Sequence, residues 1–175
     1  FLENAVLHTR KALECIAYAS IAPNKKEYSK FRSAAKTPVD FRKDYHGAKI
    51  LKQLEMVNKD FYPSPLVGPK SVGAKQWHFD RLKDGFLTKN QYIKLYDRLG
   101  KFLHSDNPWD NDKGYLNLAK DMPEGIEKIR ALLQTHATFV QEKERRLSFV
   151  VDMGSEEKDV SIFTAVADGP FNVGI

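Results

Sequence analysis

The hydrophobic period of this chain changes once, near His136, and that change sets the order of its parts. Upstream, apolar residues recur at three- and four-residue spacing, the period of a half-buried helix. Downstream, Leu147, Phe149, Val151 and Met153 alternate with Ser148, Val150 and Asp152, and Val160, Ile162, Thr164 and Val166 repeat the alternation. The polar turn Gly154-Ser155-Glu156-Glu157-Lys158 lies between the two runs, which together read as a β-hairpin. Ala137-Thr138-Phe139-Val140 adds a third strand. The expected class is therefore mainly α: an up-and-down helical bundle over residues 1–135, then a small antiparallel hairpin or three-stranded sheet over 136–175, packed on the bundle or on a partner.

Within the first part, Leu2 to Ile21 reads as a helix, with Leu2, Val6, Thr9, Leu13, Ile16 and Ser20 as its stripe. Arg10 and Glu14 stand four apart and can pair on its flank. Pro23-Asn24 ends it, and residues 25–36 read as a short polar helix. Thr37-Pro38 has the form of an N-cap followed by a first-turn proline. A second long helix is expected from Asp44 to Phe61, with Ile50, Leu51, Leu54, Val57 and Phe61 apolar. Pro63-Ser64-Pro65, Gly68-Pro69 and Gly73 mark an irregular connection, and Trp77 to Leu82 reads as a short helix. Trp109 to Lys120 is loop-like, and Pro123 opens a helix to about Gln134 carrying Ile126, Ile129, Leu132 and Leu133.

Composition narrows the classes. A length of 175 residues suits one domain, and a hydrophobic share of 42% is enough for a core. The apolar runs are far too short to span a bilayer, so no membrane partner is expected and a cytoplasmic location is. Phe1 in first place leads us to expect residues, or a domain, upstream. Cys15 is the single cysteine, so no internal disulfide can form. Its apolar helical setting reads as a small buried hydrophobe. No Cys/His spacing suits zinc and no glycine-rich phosphate loop occurs, so neither metal nor cofactor is expected. Asp110-Asn111-Asp112-Lys113-Gly114 gathers oxygen ligands but lacks the length and closing Glu of a calcium loop, and reads as a turn. A net charge of +5 and a pI near 9.2 favour approach to a polyanion.

The stretch richest in chemistry is Leu95-Tyr96-Asp97-Arg98-Leu99-Gly100-Lys101-Phe102-Leu103-His104. Thr88-Lys89-Asn90-Gln91 has the form of a capping box and starts the helix that carries it. Ser105-Asp106-Asn107-Pro108 stops it. At about 100° per residue, Tyr92, Ile93, Leu95, Tyr96, Leu99, Phe102 and Leu103 form the buried face. Lys94, Asp97, Arg98, Lys101 and His104 lie on the other. Arginine is a fixed cation suited to phosphate, and histidine is the side chain best suited to proton transfer near neutrality. Gly100 permits a bend or the close approach of a partner helix. A solvated helix face ending in a histidine is the commoner origin of such a pattern, and spacing alone leaves both readings open.

The run resembles the Arg-x(4–6)-His motif of the HEPN superfamily, in which it closes the third main helix of a four- or five-helix bundle. The opening helix, with Arg10-Lys11-Ala12-Leu13-Glu14, is similar to the first helix of that family, so the resemblance covers roughly residues 1–135. It implies a HEPN-like bundle and a metal-independent endoribonuclease, often of toxin or defence systems, that acts on RNA as a homodimer and leaves a 2′,3′-cyclic phosphate. By the same resemblance, Arg98 and His104 are catalytic: His104 moves protons and Arg98 stabilises the transition-state phosphate. Asp97 or Ser105 orients His104, while Lys94 and Lys101 hold the RNA backbone. Active members often carry Asn, Asp or His directly after the arginine, where this chain has Leu99. The alternative is a non-catalytic HEPN-like domain for dimerisation, RNA binding or partner binding within a larger protein.

Two other stretches can meet nucleic acid. Lys25, Lys26, Lys30, Arg32 and Lys36 interleave with Tyr28 and Phe31, though a solvated helix face explains them more simply. Trp77-His78-Phe79-Asp80 can stack a base, but Trp77 and Phe79 read first as packing residues.

Overall fold

The computed structural model describes residues 1–34, 44–73, 76–104, 114–142, 145–155 and 159–166. Helix α1 spans Leu2–Ile21 and buries Val6, Thr9, Leu13, Ile16 and Ser20 of the stripe its periodicity predicts, with Ala17 added and Leu2 only partly buried. Cys15 is exposed on its outer side, against expectation, because it falls between the buried Leu13 and Ile16 rather than on their face. A short 3-10 turn, Ala22–Asn24, leads into α2, Lys25–Ser33. Tyr28 is the residue α2 buries.

Helix α3 runs over Gly47–Val57, shorter at both ends than the expected Asp44 to Phe61. Asp44 is engaged elsewhere: its carboxylate accepts two 3.0 Å bonds from Arg32 and lies 2.8 Å from the Tyr28 hydroxyl. At the other end Asn58 is extended, and its amide donates to Asn24 Oδ1 and to the Phe139 carbonyl, each at 3.0 Å. Phe61 remains buried but reaches the core from beyond the helix.

The connection that follows is not irregular. It contains β1 (Ser64–Pro65), β2 (Lys70–Gly73) and β3 (Gln76–His78). The expected helix over Trp77 to Leu82 is instead β3 and an extended continuation, fixed by the Val67 N–H donating to the Asp80 carbonyl at 2.8 Å and by a bridge between Leu66 and Arg81. Helix α4 spans Lys89–Phe102 and opens with the predicted capping box of Thr88 and Gln91. Helix α5 spans Tyr115–Leu133, so it begins within the stretch read as a loop and carries Pro123 inside it. An interior proline costs about 3 kcal/mol. Burial of Leu118 and Met122 on the same face as Ile129 and Leu132 offsets it.

Strands β4 (Thr135–Glu142), β5 (Arg145–Asp152) and β6 (Ser161–Val166) form consecutive antiparallel pairs, and β1 adds to β4. The sheet order is β1-β4-β5-β6, with β2 and β3 a separate two-stranded ribbon. The chain is therefore a mixed α/β protein, not a mainly α bundle with a hairpin or three strands attached. The period change marks the start of β4 but misses β1. That strand is only two residues long and contains a proline, tolerated because β1 lies at the sheet edge.

The main core gathers side chains from all of α1 to α5 except the exposed faces, around Leu13, Leu51, Leu54, Tyr92, Leu99 and Leu132. A smaller core of Leu66, Ala137 and Phe139 lies on one side of the sheet, with Phe79 and Val150 packed on it. Among the described residues no helix is long and apolar enough to cross a membrane.

Candidate functional site

Helix α4 owes its orientation to four buried side chains, Tyr92, Tyr96, Leu99 and Phe102. Tyr92 and Tyr96 stack with an interplanar angle of 4°, and the Tyr92 hydroxyl donates to the Leu13 carbonyl of α1 at 2.6 Å. Burial raises the pKa of both phenols, so each stays a neutral hydrogen-bonding group. Ile93 and Leu95 are partly buried, whereas Leu103 is exposed beyond the helix end.

This anchoring turns Lys94, Asp97, Arg98 and Lys101 outward. Lys94, Arg98 and Lys101 follow one another at four and three residues, the spacing of a single helical stripe. Arg98 does not project alone: its Nη1 lies 2.8 Å from Asp121 Oδ2 of α5. The pair is solvent-exposed, so its contribution to stability is at most about 1 kcal/mol. Leu99, the residue after the arginine, is fully buried.

Helix α4 stops at Phe102, two residues before the expected end at His104. Leu103 caps it, its N–H donating to the Gly100 carbonyl at 3.2 Å. His104 is exposed just past that cap and thus beside the carbonyl end of the helix rather than in its last turn. Arg98 is therefore held on α4, whereas His104 lies beyond its end. Ser105 lies outside the described residues.

Gly100 serves a contact within the chain. A Cβ there would stand 2.5 Å from Arg10 Nη1 of α1. That guanidinium lies 4.0 Å over the Tyr96 ring, donates to the Tyr96 carbonyl at 3.1 Å and pairs with Glu14 at 3.4 Å. The Arg10–Glu14 pair was legible in the sequence, but its seat on Tyr96 was not. Asp121, the partner of Arg98, fell in no motif.

The two lesser nucleic-acid candidates part company. Tyr28 is buried and Arg32 is held by Asp44, which withdraws both from any basic track on α2. Trp77, expected to pack, is 56% exposed on the β2–β3 ribbon. Residues 110–113 lie outside the described residues, while Gly114 has φ 61° and forms the N-cap of α5. Among the described residues no group of three or more His, Cys, Asp or Glu side chains is placed to hold a metal ion.

No protein-family model, curated protein or solved structure matches the chain.

Proposed function

We propose that the outer stripe of α4 and the histidine beyond it contact RNA phosphates, and that the chain is a metal-independent endoribonuclease of HEPN type working as a homodimer. The observation that carries this reading is the stripe itself. Lys94, Arg98 and Lys101 share one exposed face, and His104 stands at its carboxyl end. Cations at helical spacing can follow a phosphate backbone, and a histidine just past the end of the helix is a group suited to proton transfer. The resemblance to the Arg-x(4–6)-His motif supports the same assignment.

In this reaction the ribose 2′-oxygen bonds to phosphorus and the bond to the 5′-oxygen breaks. His104 acts as acid/base: it takes the 2′ proton, and the leaving 5′-oxygen gains one. Arg98 stabilises the charge that develops on the phosphoryl oxygens. The product carries a 2′,3′-cyclic phosphate.

Two observations favour a second reading, a non-catalytic domain that binds RNA or a partner. Asp121 already neutralises Arg98, and the position after Arg98 is committed to the core through Leu99. Cleavage of a mixed single-stranded RNA by purified protein with EDTA present, beside His104→Ala, separates the two. Cyclic-phosphate ends that vanish in the variant establish the enzyme. Intact RNA retained by a folded, dimeric protein establishes the binding role.

A further inference from the structure

Arg10 belongs to α1, yet its guanidinium is held against α4. It lies 4.0 Å over the Tyr96 ring and donates to the Tyr96 carbonyl at 3.1 Å. Gly100 admits it, since a Cβ there would meet Nη1 at 2.5 Å. A glycine inside a helix lowers its propensity, and a cation–π contact near the surface does little more than restore the loss. The arrangement gains little stability, but it fixes one cation in one place.

That place is the carboxyl end of α4. Leu103 keeps right-handed helical dihedrals, φ −84° and ψ −8°, so the backbone continues round the turn that follows Gly100. His104 is four residues beyond Gly100, which sets the two backbones about 6 Å apart. A guanidinium seated on Gly100 is thus within side-chain reach of His104. Arg98, by contrast, is bonded at 2.8 Å to Asp121 of α5.

The seated guanidinium still has donors to offer. Arginine carries five N–H groups in a planar fork. Nη1 gives one to the Tyr96 carbonyl. Nε faces Glu14 at 3.4 Å, longer than the roughly 2.7–3.2 Å of a full hydrogen bond, and the same carboxylate accepts from the Tyr96 hydroxyl at 3.2 Å. Nη2 has no partner among the described residues, and the side chain is 21% exposed. Because Tyr96 and Glu14 already hold the group, little freedom is left to lose when it meets an anion. The carbonyl end of a helix disfavours phosphate, so a phosphate beside His104 needs a cation there to oppose the dipole.

We propose that Arg10 is a phosphate-binding residue of the same site, contacting through its seat on Gly100 the RNA phosphate on which His104 acts. The inference rests on the RNA reading above for its ligand. It adds to that site a residue from α1 that the α4 motif does not contain.

The test uses Gly100→Ala, Arg10→Ala and Arg10→Lys in the full chain. Gly100→Ala displaces Arg10 while leaving Arg98 and His104 in place, and it keeps the question answerable if Arg10→Ala fails to fold. The readouts are cleavage of a mixed single-stranded RNA with EDTA present and filter binding of its uncleavable 2′-O-methyl form across a salt series. Cleavage is expected to fall at least about tenfold in Gly100→Ala and Arg10→Ala. The logarithmic salt slope of binding falls by about one in Arg10→Ala, which a purely structural role would not cause. Arg10→Lys keeps the slope but loses cleavage, since an ammonium cannot reproduce the fork. An unchanged slope in folded Gly100→Ala and Arg10→Ala overturns the proposal, whether or not cleavage is lost; cleavage by the parent leaves the enzyme reading standing in that case. A lowered slope with undiminished cleavage places the contact at another phosphate and overturns the assignment to this site. If no form cleaves, the enzyme reading fails and the slope alone decides for or against Arg10. No binding by the folded parent overturns both.

Discussion

Arg10 occupies the space that a side chain at Gly100 would fill, with its guanidinium on the Tyr96 ring one helical turn earlier. The contact joins α1 to α4 and explains a glycine in the middle of an otherwise well-formed helix. Gly100→Ala gains about 0.5–1 kcal/mol of helix propensity but pushes Arg10 off Tyr96. The two effects oppose each other, so stability changes by less than about 1 kcal/mol. Urea denaturation of Gly100→Ala, Arg10→Ala and the double variant checks this. The double variant is more stable than the sum of the single changes requires, because the displaced group is no longer there.

Gly47 behaves differently. A Cβ there meets the Tyr92 hydroxyl at 2.5 Å and the Tyr96 ring at 3.0 Å. Both rings are buried and stacked, and Tyr92 is further held by the Leu13 carbonyl, so neither can swing away. Gly47→Ala is expected to destabilise by about 1–3 kcal/mol, read as a lower urea midpoint at unchanged slope.

Asn58 ties the helical part to the sheet through Asn24 and Phe139. Removing its amide strands acceptors on both sides. Asn58→Ala should cost about 1–3 kcal/mol, and hydrogen exchange should show faster opening of β4 than of α1.

His136 gives the fold a pH dependence. Burial lowers its pKa from the ordinary 6.5, only partly opposed by its 2.9 Å hydrogen bond to the Leu133 carbonyl. The unfolded chain therefore takes up the proton first. Its contribution to stability is complete above about pH 6.5. It is lost as pH falls from there through the lower folded value. Denaturation midpoints between pH 7.5 and 5 should fall, and His136→Gln should flatten that fall.

Asp121 pairs with Arg98, so on the proposed RNA reading it competes with phosphate for that guanidinium. Asp121→Asn should leave stability within about 1 kcal/mol of the parent. RNA affinity at low salt should rise about twofold or more, whereas Arg98→Ala lowers it. Filter binding across a salt series measures both.

The legible features were those written locally. The α1 stripe, the Thr88–Gln91 capping box and the strands after His136 each depend on residues a few positions apart. The missed features depend on distant ones. Nothing near Ser64 and Pro65 announces a strand, because their partners are His136 and Ala137. Pro123 looks like a helix start until Leu118 and Met122 are seen to be buried before it. At the candidate site, the outward set of Lys94, Asp97, Arg98 and Lys101 followed from helical period. The engagement of Arg98 by Asp121 did not, since it requires knowing that α5 lies alongside.

The β1–β4 pairing also orders events as the chain is made. Helices α1 to α4 and their core residues emerge early and can pack as they appear. Ser64 and Pro65 emerge with them but have no strand to join until Thr135–Glu142 has been synthesised. A contact between such distant segments carries a large loop-closure cost and forms slowly. The β1 segment is thus without its partner until β4 has emerged, and it stays open to other pairings until then.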